Sequence, residues 1–250
     1  MRAITFLFFW IPPARKCGTG MMKGGIMSNN HLINQIDQIV DEYHLLKHPF
    51  YQAWNEGKLT LESLQDYAKQ YYHHVEAFPT YLSAVHAQTN DMNTRRHLLQ
   101  NLIDEEAGSP NHPDLWLQFT TALKINNDDV LETEKWDKTT NLIQTFKTIC
   151  SEYGTATGIA ALYAYESQIP EIAETKIRGL REHYGMDSEQ ATNYFQVHIE
   201  ADKEHAAIEK QLLASYLTDE NIAEVTSEVR VVLKALWGLL SAVCERHQIH

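Results

Sequence analysis

Cysteine is scarce in these 250 residues: Cys17, Cys150 and Cys244 are the whole set, and none stands in a CxxC spacing. An odd, scattered set builds neither a disulfide framework nor a thiolate zinc site, and it fits buried thiols in a reducing compartment. Basic side chains are few as well, 21 against 33 acidic ones, for a net charge of -12. Residues 1–27 hold Arg2, Arg15, Lys16 and Lys23 and no acid, which leaves -16 on the remainder. Such a balance argues against nucleic acid as a partner, because phosphate binding depends on Lys and Arg, and it suits the attraction of divalent cations. No apolar run reaches the ~20 residues of a membrane span. Residues 6–11 are apolar behind Arg2, but Pro12, Pro13, Arg15 and Lys16 follow without a small-x-small cleavage site, so a signal peptide is not read there. Residues 1–27 are expected to be a disordered extension, with Met27 as the natural start, and residues 28–250 a single domain in the cytoplasm.

Strand-like alternation, repeats and low-complexity segments are missing too. What recurs instead is helical spacing. Leu32, Ile36, Ile39, Val40 and Tyr43 form the first stripe, ending near His48 and Pro49. Thr60 is placed to cap a helix that runs to about Thr89 and should kink at Pro79, which cannot donate to the Val75 carbonyl. A third helix covers about 91–107. Pro113 sits in the first turn of a fourth, carrying Leu115, Trp116, Phe119 and Leu123. Helical periodicity continues over about 139–153 and 155–184, where Gly185 is a natural stop, and Asp187 with Gln190 reads as a capping box for the helix that follows, to about 217. A last helix spans about 220–247. The fold class expected is an all-α bundle.

Within that pattern, three groups of residues carry chemistry. His198, Asp202 and His205 stand at i, i+4 and i+7, within about 60° on one helix face, so two imidazoles and a carboxylate can reach common ions. With Glu200, Lys203 and Glu204 interleaved, a solvated charged stripe is the other reading. Asp104, Glu105 and Glu106 crowd a helix C-terminus, the wrong end for negative charge, and His112 follows in the adjoining loop. A cation would relieve that repulsion, although an ordinary acidic surface has the same composition. Glu166 follows the apolar stretch 159–165, which points to burial and to a positive partner, either a cation or an Arg or Lys. Mixed imidazole and carboxylate donors without thiolates suit iron or manganese rather than structural zinc. Three carboxylates offset only part of the charge of two divalent ions, and six protein ligands leave coordination positions open for dioxygen.

The stretches HPFYQAW (48–54), YAKQYYHHVEAFPTYLSAVH (67–86), NLIDEEAGSPNHPDLW (101–116), AALYAYESQIPEIAETKIRGL (160–180) and HIEADKEH (198–205) resemble the family of the Chlamydia protein associating with death domains, among the heme-oxygenase-like dimetal oxidases. The similarity runs over about 31–247. The resemblance implies a seven-helix heme-oxygenase-like bundle and a homodimer. It also implies a ligand set of Glu105, chosen over its acidic neighbours, with His112, Glu166, His198, Asp202 and His205. It further implies synthesis of para-aminobenzoate, a folate precursor, with dioxygen as co-substrate and an external electron donor. Tyr51 would be the tyrosine consumed and Lys176 the amino donor, so that each chain turns over once. On the residues alone, Tyr51 fits equally well as a packing aromatic, and Lys176 as a surface partner of Glu171 or Glu174. Tyr67, Tyr71, Tyr165 and Tyr194 line the same cavity or serve core packing. Two rival functions stay open: a dimetal oxidase of an external fatty or amino acid, and a non-catalytic interaction module.

Overall fold

A computed structural model describes residues 25–250, and all its regular structure among these is helical. The extension expected over 1–27 lies outside the described residues except for its last three, which open the first helix. The chain runs through α1 (Gly25–Glu42), a 3-10 turn (Leu45–Lys47), α2 (Pro49–Asn55), α3 (Leu61–Gln88), α4 (Met92–Glu106) and α5 (His112–Ala122). It continues through α6 (Asn127–Leu131), α7 (Asp137–Glu152), α8 (Gly154–Glu166), α9 (Ile169–Tyr184), α10 (Glu189–Tyr216) and α11 (Ile222–His247). The expected count of seven is therefore exceeded. Short segments such as α2 and α6 are added, and the 155–184 stretch divides in two.

Local chemistry accounts for the boundaries. Thr60 accepts from the Ser63 amide at 3.1 Å and starts α3, which runs unbroken past Pro79. Asn111 and Asp114 form a reciprocal capping box at α5, with Pro113 in its first turn. Gly185 ends α9 with φ +65°, a left-handed conformation that costs glycine little. The capping box expected from Asp187 is not formed: Ser188 caps α10 through the Ala191 amide, and Asp187 pairs with Arg181. Pro170 sits in the first turn of α9, where its missing N–H is harmless, and the chain breaks just after Glu166.

Helix α8 organises the core. Every residue from Thr157 to Glu166 is buried, as suits a helix that is apolar on all sides and enclosed by α3, α7, α10 and α11. That places a carboxylate, Glu166, at the centre of the bundle. Opposite it runs α10, which packs on α5, α8 and α9 and turns its polar stripe inward.

Candidate metal centre

All six residues expected as ligands are buried, and the bundle gathers them into two triads. Glu105 from the last turn of α4, His112 from the start of α5 and His198 from α10 form one. Glu166 from the end of α8, with Asp202 and His205 one and two turns further along α10, forms the other. In each triad one ligand-type atom from every residue lies within 4.8 Å of the others, close enough to share an ion.

The orientation of these groups suits cations better than it suits their own pairing. Nδ1 of His112 is 2.8 Å from Oε2 of Glu105 without the alignment of a hydrogen bond. Nδ1 of His205 is 3.6 Å from Glu166 Oε1 and 3.7 Å from Asp202 Oδ1, and it is likewise unbonded. Oε2 of Glu166 is buried without a partner, while Asn101 donates to Oε1 at 2.9 Å. The remaining ring nitrogens are held from behind. Nδ1–H of His198 donates to the Tyr194 carbonyl at 2.6 Å, and Nε2–H of His205 to Asp104 Oδ2 at 3.1 Å, which leaves Nε2 of His198 and Nδ1 of His205 as acceptors for a metal. The donor set therefore fits two divalent ions.

Proton affinities follow the same geometry. Burial pushes the Glu105 and Asp202 carboxyls above their ordinary values. It acts the same way on Glu166, but the neighbouring His205 imidazole prevails and draws that carboxyl down. Burial opposes charge on His112 and His205 too. Glu105 nevertheless raises the first, and Asp202 with Glu166 the second. Burial lowers His198 well below the usual imidazole range. The metal-free cluster thus keeps protons where cations would bind, and metal binding should release them.

One acid of this cluster was not foreseen. Glu209 is only 3% exposed, and neither of its oxygens has a hydrogen-bonding partner. Burial first, then the charge of Glu166, holds its carboxyl far above the carboxylate range. It stands four residues beyond His205 and seven beyond Asp202, so one more turn of the same periodicity would have found it.

Beside the triads lies an aromatic chamber. Tyr51, Tyr67, Tyr71, Tyr165 and Tyr194 are buried, and Lys176 among them is 3% exposed. The surface pairing considered for Lys176 is excluded by that burial. Its Nζ donates to the Tyr67 hydroxyl at 2.7 Å and lies 5.6 Å from the centroid of the Tyr51 ring. Burial pulls its pKa down to about 7. The Tyr51 and Tyr67 hydroxyls are 3.5 Å apart, and those of Tyr71 and Tyr165 2.8 Å. A cavity of about 10 Å³ lies among Glu105, Glu166, His198 and Asp202, bounded by Tyr165 and Tyr194. Another of about 10 Å³ touches Lys176 and shares Tyr165, Tyr194 and His198 with the first. Each has room for about one water-sized molecule.

An all-helical bundle with paired carboxylate–imidazole triads defines a class, and comparison with known proteins agrees. A family model described as iron-containing redox enzyme matches residues 65–237, and the chain belongs to that family. A Chlamydia pneumoniae protein named 4-aminobenzoate synthase is 45% identical over 84% of this chain and 93% of its own length. A Nitrosomonas europaea protein of the same name is 42% identical over 88% and 94% respectively. A domain of unknown function with a heme oxygenase-like fold from Shewanella denitrificans superposes with a TM-score of 0.73 at 18% identity, covering 87% of this chain and 92% of that one. The fold class and the family read from the sequence are both borne out. Among the described residues no helix is long and apolar enough to cross a membrane.

Proposed function

We propose that this chain is an oxygen-dependent dimetal 4-aminobenzoate (para-aminobenzoate) synthase that draws the aromatic ring from its own Tyr51 and the amino group from Lys176. The observation that carries this reading is a buried lysine without an acidic partner, 2.7 Å from one tyrosine hydroxyl and against the ring of another, sharing its cavity wall with the triads. Relatives named 4-aminobenzoate synthase at 42–45% identity support the product. Glu105, His112 and His198 would hold one ion, and Glu166, Asp202 and His205 the other. Oxygen and nitrogen donors without thiolates favour iron, manganese or one of each. When bound, the ions supply the reduction and activation of dioxygen, with electrons from an external donor.

The protein's residues supply the rest. The ring and Cβ of a tyrosine contain every carbon of 4-aminobenzoate, so the conversion needs the Cα–Cβ bond broken, Cβ oxidised to a carboxylate at the expense of dioxygen, and the phenol oxygen, leaving as water, replaced by the Lys176 nitrogen as its Cε–Nζ bond breaks. Lys176 at a pKa of about 7 is largely an uncharged amine under mildly alkaline conditions, and it keeps a lone pair while donating to Tyr67. The aromatic wall shields both from bulk solvent. Because Tyr51 is consumed, one chain yields at most one product molecule. A homodimer in the cytoplasm is the assembly proposed.

A second reading, oxidation of an external small molecule such as a fatty or amino acid, draws on a cavity of about 300 Å³ on the outer side of His205. The two are separated by oxygen uptake of the reduced, metal-loaded protein without any added organic substrate. The synthase consumes oxygen and releases 4-aminobenzoate under those conditions. Its Tyr51→Phe variant retains its metal and releases none. Undiminished product from that variant removes Tyr51 from the scheme, and uptake that depends on an added acid favours the second reading.

A further inference from the structure

The outer cavity of about 300 Å³ is bordered by Asn101, Asp104, Glu204, His205 and Glu209. Its inner wall is the back of the second triad: His205 belongs to both, and Asn101 holds Glu166 at 2.9 Å. At that wall stands the carboxyl of Glu209, more than nine-tenths buried, whose oxygens meet no amide, hydroxyl or basic donor and face the Glu166 carboxyl. Ionised in that position it needs a cation, and no Lys or Arg borders the cavity to supply one.

We propose that Glu209 is a seventh protein ligand, a further carboxylate donor to the ion held by Glu166, Asp202 and His205, and that this ion is loaded through the outer cavity past Asp104 and Glu204. Three observations converge on it. First, Glu209 follows His205 by four residues and Asp202 by seven on α10, so its side chain projects from the same face as theirs. Second, charge closes: Glu105, Glu166 and Asp202 leave two divalent ions in a buried site one negative charge short, and a fourth carboxylate makes the cluster neutral. Third, the cavity mouth is acidic, with the half-exposed Asp104 already bonded to a triad imidazole at 3.1 Å, whereas the aromatic chamber offers an incoming ion only cavities of about 10 Å³.

The inference rests on the two-ion reading, and titration of the metal-free full-length chain with Mn(II), followed by EPR of the unbound ion, separates the two. Wild-type protein is expected to bind two equivalents. Glu209→Gln is expected to keep one at wild-type affinity and to weaken the other at least about tenfold, a loss typical even of groups that only support a ligand. Asp104→Asn is expected to slow uptake of that same equivalent. Two equivalents bound at wild-type affinity by Glu209→Gln overturn the ligand assignment alone, and a wild-type protein that binds no Mn(II) overturns the two-ion reading with it. Crystals of wild-type protein soaked in Mn(II) give a measurement that needs no variant. Anomalous density within coordination distance of a Glu209 oxygen supports the assignment; an ion on Glu166, Asp202 and His205 with Glu209 turned away refutes it.

Discussion

Lys176→Met should make the metal-free protein more stable while ending its chemistry. The lysine is 3% exposed, no carboxylate bonds to it, and burial lowers its pKa from 10.5 to about 7. That gap corresponds to roughly 5 kcal/mol of disfavoured charge. A methionine keeps the buried stem and adds no charge. It forfeits the hydrogen bond to the Tyr67 hydroxyl, which costs about 1–2 kcal/mol. The net gain near neutral pH is then roughly 3 kcal/mol, or a rise in Tm of about 6–12 °C for a chain of this size. The sign of the pH dependence follows from a lowered lysine. Between about 7 and 10.5 the unfolded chain holds a proton that the folded chain does not, so wild-type stability rises with pH across that window. The advantage of the variant should therefore be fullest at and below pH 7 and fade toward pH 10.5. Chemical denaturation of both chelated proteins at several pH values measures it. A variant less stable than wild type, or a difference that does not change with pH, would refute the picture of Lys176 as a desolvated, unpaired amine.

Three further outcomes test the site and its frame. Chelation should lower Tm by roughly 10–20 °C, since two ions each at a hundred times their Kd contribute about 5 kcal/mol together. Calorimetry in two buffers of different ionisation heat should detect protons released from His112 and His205 as Mn(II) binds, with affinity rising as pH rises; an affinity independent of pH would contradict the protonated metal-free cluster. In Gly179→Ala the new Cβ would stand 2.5 Å from the Trp54 indole, which packs against Tyr51 and Tyr67. A loss of about 1–3 kcal/mol is expected, and with it a lower yield of 4-aminobenzoate per chain. An unchanged melting temperature would show that Trp54 yields without cost.

Much of the architecture was legible in the sequence because helices announce themselves locally. Thr60, Pro113 and Gly185 act within one turn, so their roles needed no tertiary knowledge. Asp187 and Ser188 are both competent caps by residue type; Ser188 takes the role, and Asp187 pairs with Arg181 instead. Helices α2 and α6, at 7 and 5 residues, are too short to display a period. Glu166 was legible as buried from its apolar approach, but nothing nearby in the chain indicated that Asn101 and His205 are the groups facing it.

By itself, then, the sequence determined which side chains share a helix face: His198, Asp202 and His205, and, had the pattern been followed one turn further, Glu209. The 3.6-residue repeat fixes angles around a single axis and says nothing about which other helix lies opposite. Only the packed bundle decided that α10 faces the ends of α4 and α8, so that six dispersed donors divide into two triads. It also decided that Lys176 turns inward to Tyr67 rather than outward to its acidic neighbours. Those outcomes depend on how apolar faces bury one another across the whole chain, and no short stretch of sequence carries that sum.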